Sequence, residues 1–165
     1  MSDIDRTFRR IRAKIKKAED KVKERTVMKG IANFGARLVQ KRTRLGYGSN
    51  NGSKQKLAGL STKYKNQRKK DKKTGRLSPK TTPGRSNLTR TGQMLDSIKS
   101  KVTGYGKAEI YIDGGRTDSD LTNNKVREYV EENGRPFFNF TAQEEKQITR
   151  TISKRLKTFI RELFK

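Results

Sequence analysis

Ile4, Phe8, Ile11, Ile15, Ala18 and Val22 recur at steps of four, three, four, three and four. That spacing holds all six on one helical face, with Lys and Arg filling the others. Val27, Ile31, Phe34 and Leu38 resume the pattern after a five-residue step that carries the stripe around the axis. The pattern predicts one long helix from about Ile4 to Lys41, with a bend near Gly30. So narrow a stripe suits a helix lying on its own core, or one packed against a neighbouring subunit.

From residue 46 to 86 the periodicity fades. Gly46-Tyr47-Gly48-Ser49-Asn50-Asn51-Gly52 reads as a loop, and Leu57, Leu60 and Tyr64 mark one anchored turn. Lys69-Lys70-Asp71-Lys72-Lys73 is a charge block of the kind that stays solvated. The expectation here is a long basic loop or arm.

Order returns at Asn87-Leu88-Thr89-Arg90-Thr91-Gly92-Gln93-Met94-Leu95-Asp96-Ser97-Ile98. Met94, Leu95 and Ile98 share a helical face, Leu88 is a further apolar anchor, and Thr91 is the expected N-cap. Gly92 permits a tight entry. A short helix should therefore feed straight into a strand. Ile98 and Val102, then Ala108, Ile110 and Ile112, alternate with polar residues on either side of Gly104-Tyr105-Gly106. Residues 97–113 thus read as an antiparallel hairpin with one buried face. A polar loop over 114–124 leads to a short helix or turn marked by Val126, Tyr129 and Val130. Pro136 restrains Arg135 to extended backbone, and Phe137 and Phe138 should plug the end of the core. Thr141-Ala142-Gln143-Glu144 is a capping box opening a last helix with Ile148, Ile152, Leu156, Phe159, Ile160 and Leu163 on its apolar face.

Composition narrows this picture. The 165 residues suit one domain, with 1–45 as helix, 46–86 as basic arm and 87–165 as folded core. Only 29% of residues are hydrophobic against 36% charged, so the core is thin and partner subunits could supply missing burial. The net charge of +25 is uneven. Residues 1–45 carry 15 basic and 5 acidic side chains, residues 46–90 carry 13 and 1, and residues 91–165 carry 14 and 11. A field of that kind favours polyanions or acidic protein surfaces. With no apolar run near the length of a membrane span and no signal-like start, a soluble protein made in a cytoplasm is expected.

With no His and no Cys, the commonest metal ligands and the usual general base are missing. Asp113, Asp118 and Asp120 lack the spacing of an EF-hand, and no phosphate-binding glycine loop opens a helix. No cofactor and no enzymatic activity are expected; the residues point to work by shape and binding. The candidate contacts for DNA or an acidic partner are Arg68, Lys69, Lys70, Lys72, Lys73 and Arg76.

Three blocks resemble the phage virion morphogenesis family, the tail-completion or neck proteins of tailed bacteriophages. They are Leu57 through Lys70, where Leu60-Ser61 leads into a basic run containing Tyr64; Asn87 through Ile98; and Gly134-Arg135-Pro136-Phe137-Phe138 before the capped last helix. The loop after the hairpin departs from the pattern, with Asn123-Asn124-Lys125-Val126 in place of Tyr-Ala and a His-and-Gly turn. The resemblance implies an α+β fold: a long N-terminal helix, a small antiparallel sheet built on a hairpin, a C-terminal helix packed on the sheet, and a long basic insertion. Its motif residues would be Leu88, Thr91, Gly92, Leu95, Ser97, Arg135, Pro136 and Phe137. It further implies a homo-oligomeric ring, a hexamer or dodecamer, at the head–tail junction of the virion. Neighbouring neck, portal, adaptor, tail-terminator or tube proteins would be its partners, with non-specific contact to DNA in the channel. The alternative is a non-enzymatic nucleic-acid-binding protein that uses its basic N-terminal half.

Overall fold

The computed structural model describes residues 3–79, 84, 86 and 88–165. Residues 80–83 and 85 of the expected basic arm, and Asn87 at the start of the junction, lie outside the described residues. The architecture is α+β. The helical N-terminal stretch is two helices rather than one, α1 (Asp3–Val22) and α2 (Arg25–Arg44). The break falls at Glu24, whose backbone is extended (φ −56°, ψ 146°), and Gly30 lies inside α2. The five-residue step from Val22 to Val27 is its trace in the sequence. The break is also where the hairpin turn docks. Gly106 N donates to the Lys23 carbonyl (3.3 Å), and Tyr105 Oη donates to Asp20 (2.6 Å).

The hairpin forms as its alternation predicts, with β3 (Ile98–Gly104) antiparallel to β4 (Lys107–Ile112) and Ile98 opposite Ile112. α2 covers it, and α6 (Ala142–Leu163) packs along α1 and α2. It is therefore α2, rather than the C-terminal helix, that carries the broad contact with this sheet. α2 is pressed from two sides, which explains why its most buried positions include Ala32, Gly35 and Ala36 while Phe34 and Leu38 are only half-buried. A side chain at Gly35 would meet the Phe140 ring at 2.9 Å. Small residues allow this close approach, and they carry little weight in a hydrophobic pattern.

The expected loop after α2 is ordered. β1 (Tyr47–Asn50) pairs with β2 (Ser53–Lys56) through an Asn51-Gly52 turn in which both residues have positive φ (47° and 77°). Such turns match the twist of a two-residue hairpin. The flanking residues are too polar to alternate, so only the Asn-Gly pair signals the hairpin. Its stability comes from docking: Ser49 N donates to the Pro136 carbonyl (3.0 Å) and Ser49 Oγ to the Phe140 carbonyl (2.9 Å). Ala142 N donates to Gly52 O (2.8 Å), completing the clamp.

Next comes α3 (Thr62–Lys73), capped by Ser61, whose hydroxyl accepts from Tyr64 N (3.3 Å). The expected arm is thus a second hairpin followed by a helix, with Leu57 and Leu60 buried as anchors. α4 (Gln93–Asp96) runs into β3 as expected, and α5 (Asn123–Glu132) starts at a Thr122 cap. The core gathers Ala36 and Val39 of α2, Met94 and Leu95 of α4, Ile98 and Ile112 of the hairpin, and Phe137. The capping box of α6 forms as read, with Thr141 and Glu144 bonding reciprocally.

Candidate functional site

The junction from Leu88 to Ile98 is built on two left-handed residues. Gly92 (φ 83°) holds the N-cap position of α4, and Leu88 (φ 53°) adopts a conformation that a bulky side chain rarely takes. Thr91, expected as the cap, does not cap α4. Its hydroxyl instead accepts from Arg116 Nη2 (3.3 Å), which ties the junction to the loop beyond the hairpin. With glycine at the cap, the turn comes from backbone conformation, and the hydroxyl one position earlier is free to point elsewhere. Ser97 closes α4, its hydroxyl donating to the Met94 carbonyl (2.8 Å). Leu95 is fully buried, and Leu88 packs against the same core.

Arg135 makes no ion pair among the described residues. Its Nη2 donates to the Gly59 carbonyl (3.2 Å), linking the segment before α6 to the approach to α3. Pro136 offers its carbonyl to Ser49, and Phe137 enters the core beside Leu95. The three sequence blocks over 57–70, 88–98 and 134–138 therefore lie against one another, although up to 76 residues separate their bonded members.

The six candidate anion contacts do not form one surface. Lys69, Lys70, Lys72, Lys73 and Arg76 are exposed, on α3 and just past it. Arg68 is 1% exposed and lies on the opposite, inward face with Asp71. The charge block is thus a helix whose two faces differ. Asp71 accepts from Arg90 Nε (2.8 Å) and Gln67 (3.1 Å), and its backbone carbonyl accepts from the amides of Arg76 and Leu77 as the chain turns back. The Arg90 hydrogen bond, more than any other contact, holds the Asp71 carboxyl below the usual carboxylate range, and burial opposes it.

This gives a prediction with a definite sign. A carboxyl depressed on folding stabilises the fold above its unfolded value, about 3.9, and that contribution is lost as pH falls through the lower folded value. Asp71→Asn should be less stable than the native protein at pH 7. The gap between their urea midpoints should shrink below about pH 4. A gap that stays constant into strong acid would mean that Asp71 acts by shape rather than by charge.

Between α3, the junction and α5 lies a half-open cavity of about 620 Å³. Arg68, Arg90, Arg116 and Arg135 line it, together with Asp118. Leu60, Leu88, Met94, Val126 and Val130 form an aliphatic wall, and Tyr64 and Tyr129 also line it. Arg116 is held by Asp118 through Nε and Nη2 (both 2.8 Å). The Arg116 hydrogen bond is the leading reason that the Asp118 carboxyl lies below its ordinary value. Asn123, buried at the start of α5, pins the same loop by donating to the carbonyls of Asp113, Gly114 and Gly115. Neither Asn123 nor the cavity is signalled by the sequence, since each depends on segments far apart in the chain. Among the described residues no helix is long and apolar enough to cross a membrane. Likewise, no group of three or more Asp or Glu among them is placed to hold a metal ion. Comparison with protein-family models, curated proteins and solved structures finds no match to the chain.

Proposed function

We propose that the protein is a structural virion protein of a tailed bacteriophage, a neck or tail-completion component that forms a ring at the head–tail junction and joins head to tail. The observation that carries this reading is the convergence of the three resemblance blocks on one another, with Leu95 and Phe137 in one core cluster and Arg135 bonded to Gly59. α1 supports the ring. α6 runs antiparallel to it, with Glu162 paired to Lys21 (3.5 Å) and the Phe164 ring under Lys14 Nζ (4.5 Å). The first turns of α1 therefore project past the end of α6, leaving Ile4 66% and Phe8 57% exposed. An apolar stripe flanked by Arg6, Arg9, Arg10 and Arg12 fits a neighbouring subunit or an acidic partner.

Deletion of the gene from its phage tests the reading. Full heads and separate tails are expected; normally joined particles would rule it out. Purified protein, or protein released from virions, should show a native mass six or twelve times that of the 19.0 kDa chain. The second reading, nucleic-acid binding, rests on the exposed lysine face of α3. It requires duplex affinity that falls by about 0.9 log units per tenfold rise in salt for each phosphate neutralised. That affinity should disappear when Lys69, Lys70, Lys72 and Lys73 are reversed to Glu.

A further inference from the structure

The cavity between α3, the junction and α5 lies beside the core, which Met94 joins to its wall. It is poorly suited to a duplex, which presents its phosphates on a convex rod too wide to enter. Of the exposed lysines of α3, Lys69, Lys70 and Lys73 turn away from the cavity, where a polyanion would meet them instead. Besides the buried Arg68, the cavity is lined by Arg90, Arg116 and Arg135 and by one carboxylate, Asp118, which holds Arg116, while Arg90 pairs with Asp71 behind it. Arg90 holds Asp71 through Nε alone, and its two terminal nitrogens make no hydrogen bond among the described residues. Arg135 Nε is buried without a partner. Desolvated guanidinium groups gain more from an arriving oxyanion than solvated ones do. The volume, about 620 Å³, suits a few side chains. The aliphatic wall requires that part of the occupant be apolar.

We propose that this cavity binds an acidic, partly apolar segment of a protein partner. A carboxylate sits among the arginines, and a bulky apolar side chain lies against Val126, Val130 and Met94. A free anion would leave the wall wet, and a purely apolar group would leave Arg135 without an ion pair and the terminal nitrogens of Arg90 without acceptors among the described residues. The site belongs to the single chain and does not depend on where in a particle the protein sits, so it can fail or succeed independently of the neck assignment.

The test is fluorescence anisotropy with the full chain at about 0.15 M salt, where surface attraction is screened beyond ~8 Å. The probe is a labelled, end-blocked tetrapeptide of Leu, Asp, Phe and Glu. Competitors are its Asn/Gln analogue, a version with Gly and Ser replacing the apolar residues, inorganic phosphate, and a short thymidine oligonucleotide. Both altered peptides should compete at least about tenfold less well, a loss of ~1.4 kcal/mol or more. Tyr129→Glu, at a position 67% exposed, adds a negative charge at the cavity without touching the core and should weaken the probe about fivefold or more. Arg135→Gln should weaken it similarly, whereas the Lys69→Glu, Lys73→Glu double variant should leave affinity within about twofold. Equal competition by the Gly/Ser peptide would reveal general attraction to a chain of net charge +25 and overturn the proposal. So would no saturable binding, phosphate competing as well as the peptide, or displacement by the oligonucleotide alone.

Discussion

Glu144→Ala is expected to lower stability by about 3–5 kcal/mol, read as a fall in the urea midpoint at unchanged slope. The reason is that the substitution strands a buried cation. Arg42, on the inward face of α2, is 5% exposed, and its Nη1 is paired with Glu144 of α6. Its Nη2 donates to the carbonyls of Phe137 and Asn139. Burial already pulls the Arg42 guanidinium below its ordinary value, with Glu144 opposing that fall. Removing the carboxylate leaves desolvation uncompensated and also opens the capping box, because Thr141 N loses its acceptor (2.9 Å). Glu144→Gln keeps an acceptor and the volume, so it should cost about half as much. The double replacement Arg42→Met with Glu144→Leu should recover only part of the loss: no charge is left buried, but the Phe137 and Asn139 carbonyls lose their donor and Thr141 N its acceptor. A cost under about 1 kcal/mol for Glu144→Ala would show the pair to be no better than a solvated surface bridge.

The sequence makes half of this pair visible. Glu144 is legible as a cap because capping is local chemistry: a Thr hydroxyl and a Glu three residues apart serve the same orphan amides in any helix. Its second task, holding Arg42 from 102 residues away, is tertiary and leaves no local mark. The same division runs through the chain. The β3–β4 hairpin is legible because Ile98, Ile110 and Ile112 alternate with charge. The β1–β2 hairpin is not, because its strands are polar and its hold comes from backbone docking on Pro136, Phe140 and Ala142. The helix break at Glu24 survives only as a phase jump in the apolar stripe. Arg68 and Lys69 are neighbours of one charge type, yet helical geometry turns one inward to 1% exposure and the other to solvent. Charge counting cannot separate them; the side on which Tyr64, Arg68 and Asp71 fall, at steps of four and three, could have. The apolar cluster of the junction was legible for the opposite reason, since Met94, Leu95 and Ile98 are large and closely spaced.

Phe137→Ala should cost about 3–5 kcal/mol, while Phe138→Ala costs less than half of that. The two residues are adjacent, with ring centroids 6.2 Å apart in an edge-to-face arrangement, but only Phe137 is fully enclosed. It touches the cluster that includes Leu95 of the junction, Val39 of α2 and the Ile98–Ile112 pair of the sheet. The void left by its ring would therefore open where helix, sheet and the segment before α6 meet, and none of those can collapse into it without moving the others. Phe138 packs on the same cluster from a half-buried position, where solvent and the Arg127 guanidinium, 5.6 Å from its ring, can adjust. Phe137→Leu should cost under about 1.5 kcal/mol, because most of the volume returns. None of these substitutions removes the Phe137 carbonyl or its Arg42 donor, so the losses report packing first. Because Arg135 and Pro136 precede Phe137 directly, loosening this anchor should also release the Gly59 and Ser49 contacts. Hydrogen exchange at Ser49 N, which donates to Pro136, should then accelerate together with that at Asp96 N in the junction, which donates to Gly92. Exchange rising at Ser49 alone would show that the junction is held by its own helix and strand, without the segment that carries Phe137.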